Sequence, residues 1–267
     1  MGYIEQHRQQ WFVIRELTSR EIKRKYARSK LGIVWSVLNP LLNMVVLSLV
    51  FSTLFARSIE NYPIYYLCGN IVWSFFTGAT NSGMSALVDN KQMLIKVKYP
   101  MQIFIHSRVY TAFVNFLYSL IAFGLVLAFF CVYSTQSERF SVTVSWHLVF
   151  FIVIIFFEVL FAMGLTYILA TAYVFFGDIK YLYSVLLQLW MYLSALFYPV
   201  DQLAGFMRRV INCNPLYIYI HGLRTLVLEN ALPESTEVLK MAVCGVAMFI
   251  VGFVIYHSNT NKIMQKI

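Results

Sequence analysis

Few residues of this chain could carry chemistry, and their spacing decides what kind. His7, His106, His147, His221 and His257 do not fall at metal-ligand spacings, and Cys68, Cys131, Cys213 and Cys244 form no C-x-x-C pair. No metal site and no disulfide framework is therefore expected. Of the four cysteines, Cys213 is the one expected to meet an oxidising compartment. The sequence has no G-x-x-x-x-G-K-[ST] loop to cradle ATP phosphates, no H-E-x-x-H and no G-x-S-x-G, so no catalytic or cofactor-binding residues are assigned. One carboxylate stands apart. Glu158 is the only charge in the long apolar stretch 140–177, where a charged group costs ~2.5–3.5 kcal/mol on insertion scales. The expectation is a neutral carboxyl group hydrogen-bonded to a hydroxyl or the backbone. An intramembrane lipid-modifying site built from Glu158 with His147 or His257 is the enzymatic alternative.

The elements that must position these residues follow from composition. The 267 residues are 60% hydrophobic and only 12% charged, about half the charged share of a soluble domain. This predicts an all-α, polytopic membrane protein forming one domain over 1–267. Cutting the chain at its charges gives six expected transmembrane helices, at 31–56, 62–88, 101–133, 146–176, 181–200 and 241–257, each able to supply the ~20 apolar residues a span needs. The first 30 residues are charged throughout, so no cleaved signal is expected and the first span is retained.

Three amphipathic attachments join these spans. Residues 1–30 read as a basic interfacial helix, with Trp11, Ile14 and Leu17 as apolar anchors. Thr18-x-x-Glu21 fits a capping box, which predicts two short helices meeting at Thr18. Residues 89–100 read as a short hairpin helix with Asp89 or Asn90 at its start. Met93, Leu94 and Val97 form an apolar ridge among Lys91, Lys96 and Lys98, and Pro100 stops the turn. At 203–230, an uncharged run of fourteen residues lies between Arg208-Arg209 and Arg224. It is too short to cross, and Asn214-Pro215 must turn within it, which predicts two half-helices of a re-entrant external segment at a pore rim.

Orientation follows from Lys and Arg. With both termini cytoplasmic, fifteen of the 21 lie inside and six outside, the distribution expected of a membrane protein oriented that way. The net charge of +9 is thereby assigned to anionic lipid headgroups and a cytoplasmic partner, not to nucleic acid. The aromatic set Tyr183, Trp190, Tyr192 and Phe197, interspersed with Ser184, Gln188 and Ser194, could form a wall with polar gaps along which a sugar chain slides.

The opening of the first span carries a resemblance. Tyr26, Ser29, Leu31, Gly32, Trp35 and Pro40 fill a Tyr-x-x-Ser-x-Leu-Gly-x-x-Trp-x-x-x-x-Pro pattern that resembles the permease subunits of ABC-2 type polysaccharide exporters for O-antigen, capsule and teichoic acid. The resemblance implies a subunit without its own ATPase, working as a homodimer with two copies of an ABC ATPase that binds ATP and Mg. It implies an undecaprenyl-linked polysaccharide as substrate, entering beside Trp35, and a bacterial cytoplasmic (inner) membrane as location. In such proteins a segment matching Asn90, Leu94, Lys98 and Pro100 is the coupling helix seated in the ATPase, and the surface helix near Arg24 acts as a second lever. Asn214, Pro215 and Arg224 match an external gate. Gly177 replaces the arginine of an Arg-Asp pair, leaving Asp178 alone. A drug or small-lipid exporter of the same fold, lacking this opening motif, is the other transporter reading.

Overall fold

The structure, a computed structural model, describes residues 3–55, 59, 61–96, 99–134 and 145–267, and every regular element among them is helical. The chain runs through α1 (Tyr3–Tyr26), α2 (Val34–Phe55), α3 (Tyr62–Met84), the short α4 (Ala86–Asp89) and α5 (Lys91–Lys96), and α6 (Gln102–Ser134). A 3₁₀ turn at Trp146–Phe150 feeds α7 (Phe151–Phe175), followed by α8 (Ile179–Leu193), a second 3₁₀ turn, α9 (Gly205–Asn212), α10 (Pro215–Leu228) and α11 (Ser235–Lys266). Val97 and Lys98 lie outside the described residues.

Among the described residues, four helical stretches are long and apolar enough to cross a membrane: Val34–Phe51, Gln102–Val132, Trp146–Phe175 and Ser235–Lys266. These correspond to the expected first, third, fourth and sixth spans. The last is longer than the expected 241–257, because its polar flanks continue the helix at both ends. The other two expected spans differ. α3 is 23 residues long, yet Asn70, Ser74, Thr77, Thr80, Asn81 and Ser82 dilute its hydropathy. Its neighbours explain how it tolerates them: α3 packs on α2, α6, α7 and α10, and most of it is buried in protein. α8 has only 15 residues, about 22 Å at 1.5 Å per residue, which falls short of the ~30 Å hydrocarbon core. The expected span 181–200 is thus a short helix that stops at Leu193, where Ala195 takes a left-handed backbone (φ +48°).

Packing of α7 on α11 forms the tightest seam. A Cβ on Gly245 of α11 would lie 2.6 Å from the Phe157 carbonyl oxygen of α7, so only glycine permits this approach, a device common between membrane helices. The largest buried cluster gathers Ile71, Phe75 and Phe76 of α3 with Phe161 of α7 and Tyr219 and Leu223 of α10.

The N-terminal segment is one continuous helix rather than two meeting at Thr18. Thr18 does not cap; its hydroxyl donates to the Ser107 carbonyl of α6 at 3.2 Å. Ile14 and Leu17 are buried against Ile103 and Phe104 at the start of α6, while Trp11, on the same side, meets Tyr110 edge-on at 5.0 Å. Tertiary partners thus claim the residues that locally resemble a helix start.

Candidate functional site

The link between α1 and α2 is built by the opening motif. Gly32 has φ +53°, and a Cβ there would meet nothing within 4 Å. Glycine is therefore called for by its backbone conformation and not by space. The Ser29 hydroxyl accepts the Gly32 amide at 3.1 Å, and the Tyr26 and Ser36 hydroxyls bond each other, tying the end of α1 to the start of α2. Pro40 lies inside α2. Having no N–H, it leaves the Ser36 carbonyl without its helical donor.

This link forms one rim of a cavity of about 550 Å³ between α1, α2, α3 and α6, within the ordinary size range of a ligand pocket. Trp35 and Asn39 line it from α2, Ser74 and Ser82 from α3, and Asn115 and Ser119 from α6. The serine hydroxyls of α3 and α6 spend their one donor on their own helix, Ser82 on the Gly78 carbonyl at 2.5 Å and Ser119 on Asn115 at 3.2 Å, whereas Asn115 gives one of its two amide hydrogens to the Thr111 carbonyl at 2.9 Å. Their oxygens keep lone pairs free. The groove therefore presents acceptors beside the amide and indole donors of Asn39, Asn115 and Trp35, which suits a ligand rich in hydroxyls, because a hydroxyl both donates and accepts.

Its charged end is formed by Glu21, Lys25 and Arg108. Arg108 lies near the start of α6 and is shared between two carboxylates, with Nε 2.9 Å from Glu21 Oε1 of α1 and Nη2 3.2 Å from Asp89 Oδ2 of α4. The Ser85 hydroxyl donates to Asp89 at 2.7 Å and the Thr111 hydroxyl to Glu21 at 3.1 Å. Lys25 donates to Asn115 Oδ1 at 3.3 Å. None of Glu21, Asp89 and Arg108 was singled out from the sequence as a partner of the others. Their only local signal is an arginine eight residues beyond Pro100, and the pairing is tertiary.

The hairpin α4–α5 lies beside this charged end. Asn90 is buried and donates to the Ala86 carbonyl at 2.8 Å, while its own carbonyl accepts the Met93 and Leu94 amides at 2.9 Å. Leu94 is half-buried against the chain's own clusters around Ala86 and Ile103. Ile95 is 71% exposed. In α5 the exposed apolar residue is thus Ile95 and not Leu94, with Val88 of α4 exposed as well. Arg24 and Pro100 are exposed.

A second constellation sits at the end of α8. Asn214 caps α10 by accepting the Leu216 amide at 3.1 Å, accepts the Trp190 Nε1–H at 2.8 Å, and donates to the Leu193 carbonyl at 2.9 Å and to Ser194 Oγ at 3.1 Å. The Asn214-Pro215 turn between two half-helices is where the sequence places it. Arg224 is buried: Nη2 donates to the Ala195 and Leu196 carbonyls at 3.1 Å, Nε to the Tyr65 carbonyl at 3.3 Å, and its guanidinium carbon stands 3.4 Å from the Tyr65 ring centroid. It staples α10 to α3 and to the turn after α8.

These contacts correct the aromatic wall. Trp190 packs edge-on against Phe76 at 5.2 Å and Phe161 at 6.4 Å, and Tyr183 is buried with its hydroxyl donating to Thr80 at 2.7 Å. Both belong to the core because α8 lays them against α3. Phe197 stacks on Tyr66 and Phe51 at about 6 Å. Tyr192 alone of the α8 set is exposed, and Trp35 alone of the five expected path residues lines the groove. Glu158 is fully buried in α7, and neither carboxylate oxygen has a hydrogen-bond partner among the described residues, contrary to the expected bond. His147 precedes it by eleven residues of continuous helix, roughly 16 Å or more, and His257 stacks on Phe253 of α11. Among the described residues no three His, Cys, Asp or Glu side chains gather as a metal site.

A family model described as ABC-2 type transporter matches residues 13–228. The chain belongs to the ABC-2 type transporter family. The match takes in both constellations of this ABC-2 transporter chain, the groove and the Asn214 turn, and stops before α11. Among its relatives, the O-antigen export system permease protein RfbA of Myxococcus xanthus is 30% identical over 253 residues, covering 94% of each chain. A protein of the same name from Klebsiella pneumoniae is 25% identical over 90% of this chain and 89% of its own. The polysialic acid transport protein KpsM of Escherichia coli is 18% identical over 94% and 95%.

Proposed function

We propose that this chain is the membrane-spanning permease subunit of an ATP-driven exporter of lipid-linked polysaccharide. Two copies would pair with two copies of an ABC ATPase that binds ATP and Mg, in the cytoplasmic membrane of a bacterium with both chain ends on the ATPase side. The observation that carries the reading is the similarity along 94% of both chains to a protein named as an O-antigen export permease.

The geometry supports it in two ways. A groove of hydroxyl and amide groups with one indole at its rim suits a hydroxyl-rich headgroup better than the apolar body of a drug. The same groove ends at Arg108, which touches the hairpin carrying the exposed Ile95. Movement of a partner against Ile95 and Arg24 has a short route to the rim at Trp35. In this reading the Asn214–Arg224 assembly holds the far end of the path in shape.

The test is deletion of the gene and complementation with the wild-type chain. Surface polysaccharide should disappear in the deletion strain while lipid-linked polymer builds up inside, and both should revert on complementation. Unchanged surface polysaccharide, with loss of efflux of a small amphiphile instead, overturns the polysaccharide reading in favour of the drug or small-lipid exporter.

A further inference from the structure

Three elements meet at one guanidinium. Arg108 stands on α6, Glu21 on the surface helix α1 and Asp89 on the hairpin helix α4, and the side chains are 22%, 17% and 48% exposed. Arg108 hydrogen-bonds Asp89 through Nη2 and stands in ion-pair contact with Glu21 through Nε, without hydrogen-bond alignment there, and a guanidinium holds its nitrogens in a rigid plane. The directions from α6 to α1 and to α4 are thereby set together. Asp89 is itself held by the Ser85 hydroxyl, and the Thr111 hydroxyl shares its one proton between Glu21 at 3.1 Å and the Ser107 carbonyl at 2.8 Å. Beyond this clasp, the hairpin and the surface helix meet among the described residues through a weak contact of Arg20 Nη1 with Met93 Sδ at 3.5 Å and through packing of Met93 and Leu94 near Ile14 and Leu17. Glu21, Arg108 and Thr111 also line the groove.

Resting on the exporter reading above, we propose that Arg108 is the positioning residue that transmits movement of the hairpin to the groove, by clasping Asp89 and Glu21 in one planar fork. When the hairpin moves, Asp89 draws on a group whose other partner is the helix forming the groove's rim. The motion therefore reaches Lys25, Tyr26 and Trp35 without crossing the core. A lysine at 108 places one point charge where two carboxylates lie in different directions and does not replace the fork.

The test uses the full complex with its ATPase in proteoliposomes containing lipid-linked glycan, with Arg108→Gln, Arg108→Lys and Asp89→Asn at matched assembly. Basal ATP hydrolysis is measured alongside, so that export is read per ATP spent. Polymer exported per ATP should fall about tenfold in both Arg108 variants and less in Asp89→Asn, since a purely structural residue moves assembly and both activities together. Spin labels at Lys91 and Lys23, both exposed, give a readout independent of cargo. Nucleotide should shift their separation in the wild type and leave it unchanged in Arg108→Gln. A nucleotide-dependent shift that persists in Arg108→Gln, or export per ATP equal to wild type, overturns the proposal. Failure of the wild-type complex to export any glycan counts against the exporter reading instead, and the label distances still decide the clasp.

Discussion

At the residue scale, Trp190 and Gly32 make opposite demands. Trp190 is held by ring packing against Phe76 and Phe161 and by one indole hydrogen bond to Asn214. Trp190→Phe keeps the packing and loses the bond, at a cost of ~0.5–1.5 kcal/mol. Trp190→Ala opens a cavity worth ~3–5 kcal/mol by the soluble scale. Thermal unfolding in detergent should show a small drop for phenylalanine and a large one for alanine, with export per assembled phenylalanine complex near wild type. Near-wild-type stability of the alanine variant would count against the core assignment. Gly32 has room for a side chain but a left-handed backbone, so Gly32→Ala should cost ~1–2 kcal/mol and Gly32→Asn less, because asparagine tolerates that region. Equal stability of the two variants would remove the backbone explanation. The Asn214-Pro215 turn was legible in the sequence, because a turn is written in adjacent residues, whereas Gly32 stood there only as one position of a motif. The Arg108 clasp was not. Asp89 is nineteen residues away and Glu21 lies on another helix, so their spacing carries no period to read.

At the element scale, apolar run length located the helices, and contact between helices decided their ends. The expected break of α1 at Thr18 is absent because Thr18 and Glu21 bond α6, and a residue with a tertiary partner gives up its local cap. The expected span over 181–200 ends at Leu193 because the carbonyls of Ala195 and Leu196 are satisfied by Arg224 instead of by continued helix. Run length cannot see such a partner. In the hairpin, the apolar ridge was legible but its facing was not: Leu94 turns to the chain's own core and Ile95 outward. Ile95→Arg should thus preserve insertion and stability while abolishing recruitment of the ATPase, scored by co-purification. Leu94→Arg places a charge among apolar groups and should lower the level of the chain itself. Recruitment retained in Ile95→Arg would show that the hairpin docks by another face.

At the scale of the whole molecule, the charge distribution and the helix ends can be tested together. In the proposed orientation, with both termini inside, fifteen Lys and Arg face the cytoplasm against six outside, the distribution favoured by the rule that positive loops stay cytoplasmic. α11 runs unbroken over 32 residues, Ser235–Lys266, about 48 Å, which is long enough to carry Glu234 and Lys262 to opposite faces. Glu234, Lys262 and Lys91 are all exposed, so labelling reads topology and not burial. The four native cysteines must first be replaced, Cys213 above all, because it is exposed and would itself react. In intact cells an impermeant thiol reagent should then modify a cysteine at Glu234, and modify cysteines at Lys91 and Lys262 only after permeabilisation. Reversed labelling of all three would invert the molecule. Labelling of Lys91 with Glu234 but not Lys262 in intact cells would place the hairpin outside, away from any cytoplasmic ATPase, and with it the Arg108 clasp and the charged end of the groove. Those assignments depend on a single side of the membrane, which this measurement determines.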